Sequence, residues 1–298
     1  MFPFTKYRKI YFIFSGILII ASIACLIIFG LKPGIDFTGG SILEIEYIQE
    51  RPANEEIREK LTEFDLGNIY IQPTGEKGII LRTKDIDEIT HQQILEKIRN
   101  DGNEIEEKRF ESIGPVIGQE LRQKTNIVVI LVILSIIAYI AFSFRRIQVP
   151  LKSWQYGIIS ILALFHDVLI PLGIFSILGK FYGVEISIPV VTALLAVLGY
   201  SVNNTVVVFD RIREGLLKRG GYFEDIVNLS LNQTFSRQIN TSLTTLFVVI
   251  AIFFFGGETL KYFSLALILG IISGTYSSIF LTGSMLITWF QWKQKKLD

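Results

Sequence analysis

Cysteine is nearly missing from this sequence. The single residue, Cys25, allows no intrachain disulfide and leaves no mark of redox compartment. Histidine is as scarce: His91 and His166 fall in different segments, separated by a membrane-length apolar run, so they form no pair. The sequence contains no phosphate-binding G-x-x-x-x-G-K loop, no metal-ligand spacing and no nucleophile–base motif. These absences point away from nucleotide hydrolysis, structural zinc and covalent catalysis, and no bound cofactor is expected. A dominant charge sign is also lacking. Lys and Arg number 29 against 28 Asp and Glu, and the net charge of +1 argues against a basic surface for nucleic acid. Charge of either sign is thin, at 19% of 298 residues, while 50% are hydrophobic and the mean hydropathy is +0.46. That balance is too apolar for an ordinary soluble protein.

What charge there is lies in residues 44–124, in 211–237 and at the end of the chain. The intervening apolar runs predict six membrane spans at about 10–30, 123–144, 156–179, 188–210, 239–256 and 262–290. The first is too long for a signal-peptide core, and Ser22-Ile23-Ala24 is a poor lipoprotein cleavage site before Cys25. It reads as a retained signal anchor. Lys6, Arg8 and Lys9, then Arg145, Arg146 and Lys152, then Arg211, Arg213, Lys218 and Arg219, and finally Lys293, Lys295 and Lys296 all gather on one side. The positive-inside rule places both termini in the cytoplasm and residues 31–122 outside.

Residues 31–122 read as a small α+β domain. Ser41–Ile48 alternates like a half-buried strand. Asn54–Phe64 carries Ile57, Leu61 and Phe64 at helical spacing. Asn68–Gln72 and Gly78–Arg82 flank a Pro73-Thr74-Gly75 turn. Ile89–Ile98 is helical, and Asn103–Ile113 is a last strand. The order βαββαβ predicts a ferredoxin-like domain. The expected fold is therefore a polytopic α-helical membrane protein with this domain between its first and second spans. The remainder, 123–290, is a five-helix bundle that includes a cytoplasmic amphipathic loop at 211–237, and 291–298 is a tail. Gly220-Gly221 would break that loop in two.

Polar groups inside spans are costly and mark candidate sites. His166-Asp167 sits deep in the third span, where Asp167 either pins helices together or takes part in a proton path. Ser201, Asn203, Asn204 and Thr205 in the fourth are either helix–helix glue or the lining of a hydrated path. Asp210 lies at the border. Arg237, at the start of the fifth, either snorkels to the interface or points inward to an acid of another span. Gly270, Ser273, Gly274, Ser277 and Ser278 give the sixth a small-residue face.

Gly34-Ile35-Asp36-Phe37-Thr38-Gly39-Gly40, after the first span, resembles the opening signature of the SecD/SecF protein-export family. Residues 199–214 (GYSVNNTVVVFDRIRE) resemble its SecF branch. So do Phe165–Val168, Asn232-Gln233-Thr234 with Arg237, Asn240–Leu246, Phe255-Gly256-Gly257 and Gly274–Phe280. The resemblance covers nearly the whole chain. It implies a member of the resistance-nodulation-division superfamily in a bacterial cytoplasmic membrane, paired with SecD and associated with the SecYEG channel and YajC. Such a protein uses a proton gradient to complete the export of unfolded preproteins. It further implies that Gly34, Asp36, Phe37, Gly39 and Gly40 form the family motif, and that an acid in the fourth span carries protons near the arginine matched by Arg237. Here the family's Asn-Asp-Thr is Asn203-Asn204-Thr205, and an amide cannot bind and release a proton. Two other functions compete: a small-molecule or lipid exporter of the same superfamily, and a structural subunit with impaired coupling.

Overall fold

A computed structural model describes residues 1–100, 104–145, 150–219 and 221–295. Asn103, Arg146, Gly220 and Lys296, which figure in the sequence reading, lie outside the described residues.

The chain opens with a 3-10 turn at Phe4–Tyr7 and helix α1, Arg8–Phe29. A short turn, α2 (Ile35–Thr38), leads into the inserted domain: β1 (Gly40–Tyr47), α3 (Asn54–Lys60), β2 (Tyr70–Thr74), β3 (Gly78–Thr83), α4 (Glu88–Asn100) and β4 (Ile105–Ile113). There follow α5 (Pro115–Ser143), α6 (Ser153–Tyr182), α7 (Ile188–Arg219), α8 (Phe223–Phe255) and α9 (Gly257–Tyr276). A π turn at Ser277–Leu281 then joins α9 to α10 (Thr282–Gln294). Among the described residues, six helical stretches are long and apolar enough to cross a membrane, the last being α9, the π turn and α10 together.

Two compact units result. One comprises Lys32–Ile127 with Glu185–Ser187. Its sheet runs β2-β3-β1-β4 with every neighbouring pair antiparallel, the ferredoxin-like order expected of two split βαβ units. Leu43, Ile45 and Tyr47 of β1 and Ile79 and Leu81 of β3 meet Ile57 and Leu61 and the α4 face Ile94, Leu95 and Ile98 in one apolar core. Pro73 belongs to β2 and not to a turn. β2 is an edge strand, so the proline costs no ladder bond to an outer neighbour.

The other unit is the helical bundle, Met1–Leu31, Val128–Val184 and Ile188–Asp298. Its centre is α6 and the α9–α10 span, each 61% buried over its apolar window, against 6% for α5. Small residues let the helices close. A Cβ on Gly173 of α6 would lie 2.6 Å from Ser22 Cβ of α1, and one on Gly270 of α9 would lie 2.2 Å from Val197 Cγ2 of α7. Ser176 donates to the carbonyls of Cys25 and Gly30 at 2.8 and 2.7 Å, fastening α6 to the end of α1. Asn232 of α8 clips the amino-terminal segment, accepting from the Phe2 amide and donating to its carbonyl, both at 2.8 Å.

Residues 211–237, expected as an amphipathic loop of helical character, are helical up to Arg219 and again from Phe223. They are the ends of α7 and α8. Phe223, Ile226 and Val227 are buried against the bundle core. Hydropathy marks where the side chains become polar, whereas the helices continue for as long as packing holds one face. α5 starts at Pro115, ahead of the expected 123, with proline at the first helical position, where its missing N–H costs nothing.

Candidate functional site

Asp167 of α6 is fully buried. Its Oδ2 accepts from Ser277 Oγ at 2.7 Å and from Ser201 Oγ, and its Oδ1 lies 2.8 Å from His166 Nδ1. The donors come from α7, from the π turn of the last span and from the neighbouring residue. A π turn inserts an extra residue into a helix and redirects its side chains, and such turns concentrate at functional sites. Here it brings Ser277 onto the carboxylate while the adjacent Ser278 donates to Gln238 Oε1 of α8 at 2.7 Å. Gly274 makes room: a Cβ there would stand 3.5 Å from Asp167 Oδ2 and 3.2 Å from Ser201 Cβ.

Pro171 lies four residues beyond Asp167 in α6, so the Asp167 carbonyl receives no helical N–H. His166 is buried, packs near Tyr276 with ring centroids 6.0 Å apart, and leaves Nε2 without a hydrogen-bond partner. A carboxylate takes only acceptor roles when ionised and gains a donor when protonated, and a neutral imidazole offers one of each. The His166–Asp167 contact is thus a place where one proton can reside on either residue, enclosed by hydroxyls whose hydrogens rotate to suit either state.

Ser201 and Asn204 stand one helical turn apart on the inward face of α7. Asn204 is buried, and its Nδ2 has no acceptor among the described residues. A buried, unpartnered amide N–H costs about 1–3 kcal/mol. A second polar string runs alongside, with Tyr200 donating to Ser242 of α8 at 2.9 Å and Ser242 lying 2.6 Å from Thr275 of α9.

The residues singled out in the sequence divide accordingly. His166, Asp167 and Asn204 are inside the bundle. Asn203, Asp210 and Arg237 are exposed on the outer faces of α7 and α8. Asp210 stands 3.6 Å from Arg213 of its own helix. Arg237 does not point inward to an acid of this chain, since α8 is turned so that Gln238 and Ser242 face the core, and no acid pairs with it among the described residues. The neighbouring Arg211 is held by Gln233 Oε1 at 2.7 Å and by Glu214.

The glycines of the 34–40 segment have structural work. Gly34 is buried and donates to the Ile186 carbonyl at 2.8 Å. Gly39 has φ +74 and Gly40 φ +125, and a Cβ on either would lie within 3 Å of backbone, at Pro115 Cα and Thr83 O respectively. Asp36 lies in the α2 turn and Phe37 is half-buried within it.

Together these elements define a class: a multi-pass α-helical membrane protein with a ferredoxin-like domain inserted after its first span. The family model described as the C-terminal part of the SecD/SecF protein export membrane protein matches residues 93–292, and the SecD/SecF GG motif matches residues 26–47. The chain belongs to the SecD/SecF family. Within it the similarity is to SecF: it is 42% identical to the protein translocase subunit SecF of Thermobaculum terrenum, over 97% of this chain and 94% of that one. Against the SecF of Rhodothermus marinus the identity is 40%, over 96% and 92%. Among solved structures, SecDF of Thermus thermophilus, a translocon-associated membrane protein, superposes with a TM-score of 0.83 at 33% identity, and a SecDF in its super-membrane-facing form with 0.69 at 32%. The matches cover 97% and 99% of this chain, but the chain spans only 38% and 39% of those longer proteins.

Proposed function

We propose that this chain is the SecF half of a proton-driven protein-export pair. It works beside SecD, with SecYEG as the channel and YajC as an associated subunit, in a bacterial cytoplasmic membrane. Both termini lie inside and the ferredoxin-like domain outside, the orientation supported by the placement of Lys and Arg. The energy source is the proton gradient, with no bound cofactor, and the cargo is an unfolded preprotein leaving the channel.

The observation that carries this reading is the sealed Asp167 carboxylate, held by hydroxyls from two other spans and joined to His166. Moving one charge across the membrane supplies about 2.3 kcal/mol per 100 mV. Swinging a two-state element from one side to the other takes about 5.5 kcal/mol, so a few protons per cycle suffice. The second subunit has a face to cover: Asn203, Arg237, Asn240, Thr241 and Thr244 are exposed on α7 and α8, where bare contact with lipid is unfavourable.

The test is co-reconstitution with SecD and SecYEG, with export of a preprotein followed after the motor step, with and without a proton gradient. The gradient accelerates release if this reading holds. A complex that assembles and exports equally well without it supports instead a structural subunit, a reading favoured by the non-titrating Asn204.

A further inference from the structure

The connection between α6 and α7, Glu185–Ser187, groups with the inserted domain. Ile186 pairs in parallel with Pro33. Its amide donates to the Lys32 carbonyl at 2.7 Å, and its carbonyl accepts from the Gly34 amide at 2.8 Å. A Cβ on Gly34 would stand 3.1 Å from that same carbonyl oxygen, so glycine allows the two backbones to close.

Glu185 adds a charge clamp. Its Oε1 lies 3.3 Å from Lys32 Nζ and 3.2 Å from Arg82 Nε, the latter a charge contact without hydrogen-bond geometry, with the Glu185 side chain 12% exposed and that of Arg82 15%. Solvent therefore screens the Glu185–Arg82 contact less than it would a surface pair. Arg82 belongs to β3 and donates through Nη1 to Gln72 of β2 at 2.7 Å. The connection is thus fixed to two strands of a folded sheet.

The same connection ends the helix that carries Asp167 and begins the helix that carries Ser201. At 1.5 Å per residue, Asp167 lies about 22 Å back along α6 from Tyr182, and Ser201 about 20 Å along α7 from Ile188. The acid and its hydroxyl donor therefore sit at matched depth on two arms joined by one short link. A change in how Asp167 holds Ser201 shifts one arm against the other, and the link is where both arms end.

Resting on the proton-coupled role proposed above, we infer that Glu185 is a positioning residue for that coupling. It ties the α6–α7 link to β3, so that rearrangement at Asp167 reaches the sheet of the inserted domain and is not lost in a slack loop. Nothing in the 34–40 motif or in the span polar residues points to position 185 by itself. The assignment comes from the clamp and the strand bridge together.

The experiment uses the full chain reconstituted with SecD and SecYEG, reading preprotein export and proton influx in the same vesicles. Glu185→Gln lowers gradient-dependent export by at least about fivefold while proton influx stays within about twofold, so more protons pass per chain exported. Glu185→Asp, which keeps the charge, exports more than Glu185→Gln. Amide exchange at Gly34 and Ile186 speeds up about tenfold in Glu185→Gln, with the β1–β3 amides unchanged. Export and influx that fall in parallel overturn the inference, as does an Asp variant no better than the Gln variant. A Glu185→Gln protein indistinguishable from a gradient-dependent wild type also overturns it. Wild-type export that ignores the gradient sinks the proton-coupled reading itself and the inference with it, and is distinguished by the wild-type control alone.

Discussion

Replacing Asp167 by asparagine separates charge from packing, because the surroundings can satisfy the amide. If the amide oxygen takes the Oδ2 place, Ser201 and Ser277 keep their acceptor, and the new N–H₂ faces His166 Nδ1, which accepts in its other tautomer. If the nitrogen takes the Oδ2 place, Ser277 turns its hydrogen to the Gly274 carbonyl, already 3.2 Å away, and its oxygen accepts from the amide. The first arrangement keeps every hydrogen bond as a neutral one and is therefore favoured over the second, in which Ser201 loses its acceptor. The loss is the difference between charge-assisted and neutral bonds, about 1–2 kcal/mol. Asp167→Leu, by contrast, takes the partner from the Ser201 hydroxyl and the His166 imidazole at about 1–3 kcal/mol for each buried group, while Ser277 keeps the Gly274 carbonyl. The asparagine variant should therefore assemble with SecD nearly as wild type does. Its export should fall to the rate seen without a gradient. One charge across 100 mV biases an equilibrium by up to about fiftyfold, which sets the size of the accessible loss. The assay is gradient-dependent export in co-reconstituted vesicles, with complex recovery measured in parallel. An Asp167→Asn protein that keeps most of its gradient response refutes the relay. Export and assembly that fall together leave Asp167 as a helix pin.

Asn204→Asp removes the unpartnered Nδ2 and restores a titrating group one turn from Ser201; gradient-dependent export rises in the same assay, and no change with assembly intact argues that position 204 is not a carrier here. Gly39→Ala forces φ +74 on a side chain whose Cβ meets Pro115 Cα at 2.9 Å, and costs the inserted domain about 2–4 kcal/mol, read from amide exchange across β1 and β4. Asp87 stands just before α4, where the Thr90 hydroxyl and amide donate to its carboxylate and hold it below the ordinary aspartate range. Its contribution to folding is therefore present above the unfolded-state value and is lost as pH falls through the lower folded-state value. Asp87→Asn flattens that acid slope, measured by exchange in α4 between neutral and acidic pH; an unchanged slope rules the cap out as an acid-sensitive element.

Much of the architecture could be read directly. Apolar runs of membrane length have few other uses, and period-2 alternation at Ser41–Ile48 with 3.6-period spacing at Ile94, Leu95 and Ile98 leaves little choice of element. Helix ends were less readable, since hydropathy ends the spans at 210 and 239 while α7 and α8 stay helical through charged residues to Arg219 and from Phe223. Asp167 stood out because an acid amid leucines is expensive. Its donors did not: Ser201 is 34 positions away and Ser277 is 110, and no local pattern links them. Arg237 illustrates the opposite limit. Its expense was legible but its direction was not, because Gln238 one position later faces the core and a single helical step of about 100° separates inside from outside. Glu185 carried no signal at all, being one acid in a short turn between two spans.

The π turn at Ser277–Leu281 has a consequence for anyone who would rebuild this span. One additional residue wound into the helix advances everything after it by about 100°. The face of α10 that carries Gly283, where a Cβ would come within 2.8 Å of Leu231 Cδ1 and 3.3 Å of Val227 Cγ1 on α8, owes its bearing to that advance. A chimera that spliced α10 onto an uninterrupted helix, or a one-residue deletion within the turn, would leave every downstream letter intact. It would nonetheless rotate the whole segment like a key cut for the wrong ward, with a bulkier residue presented where only glycine fits.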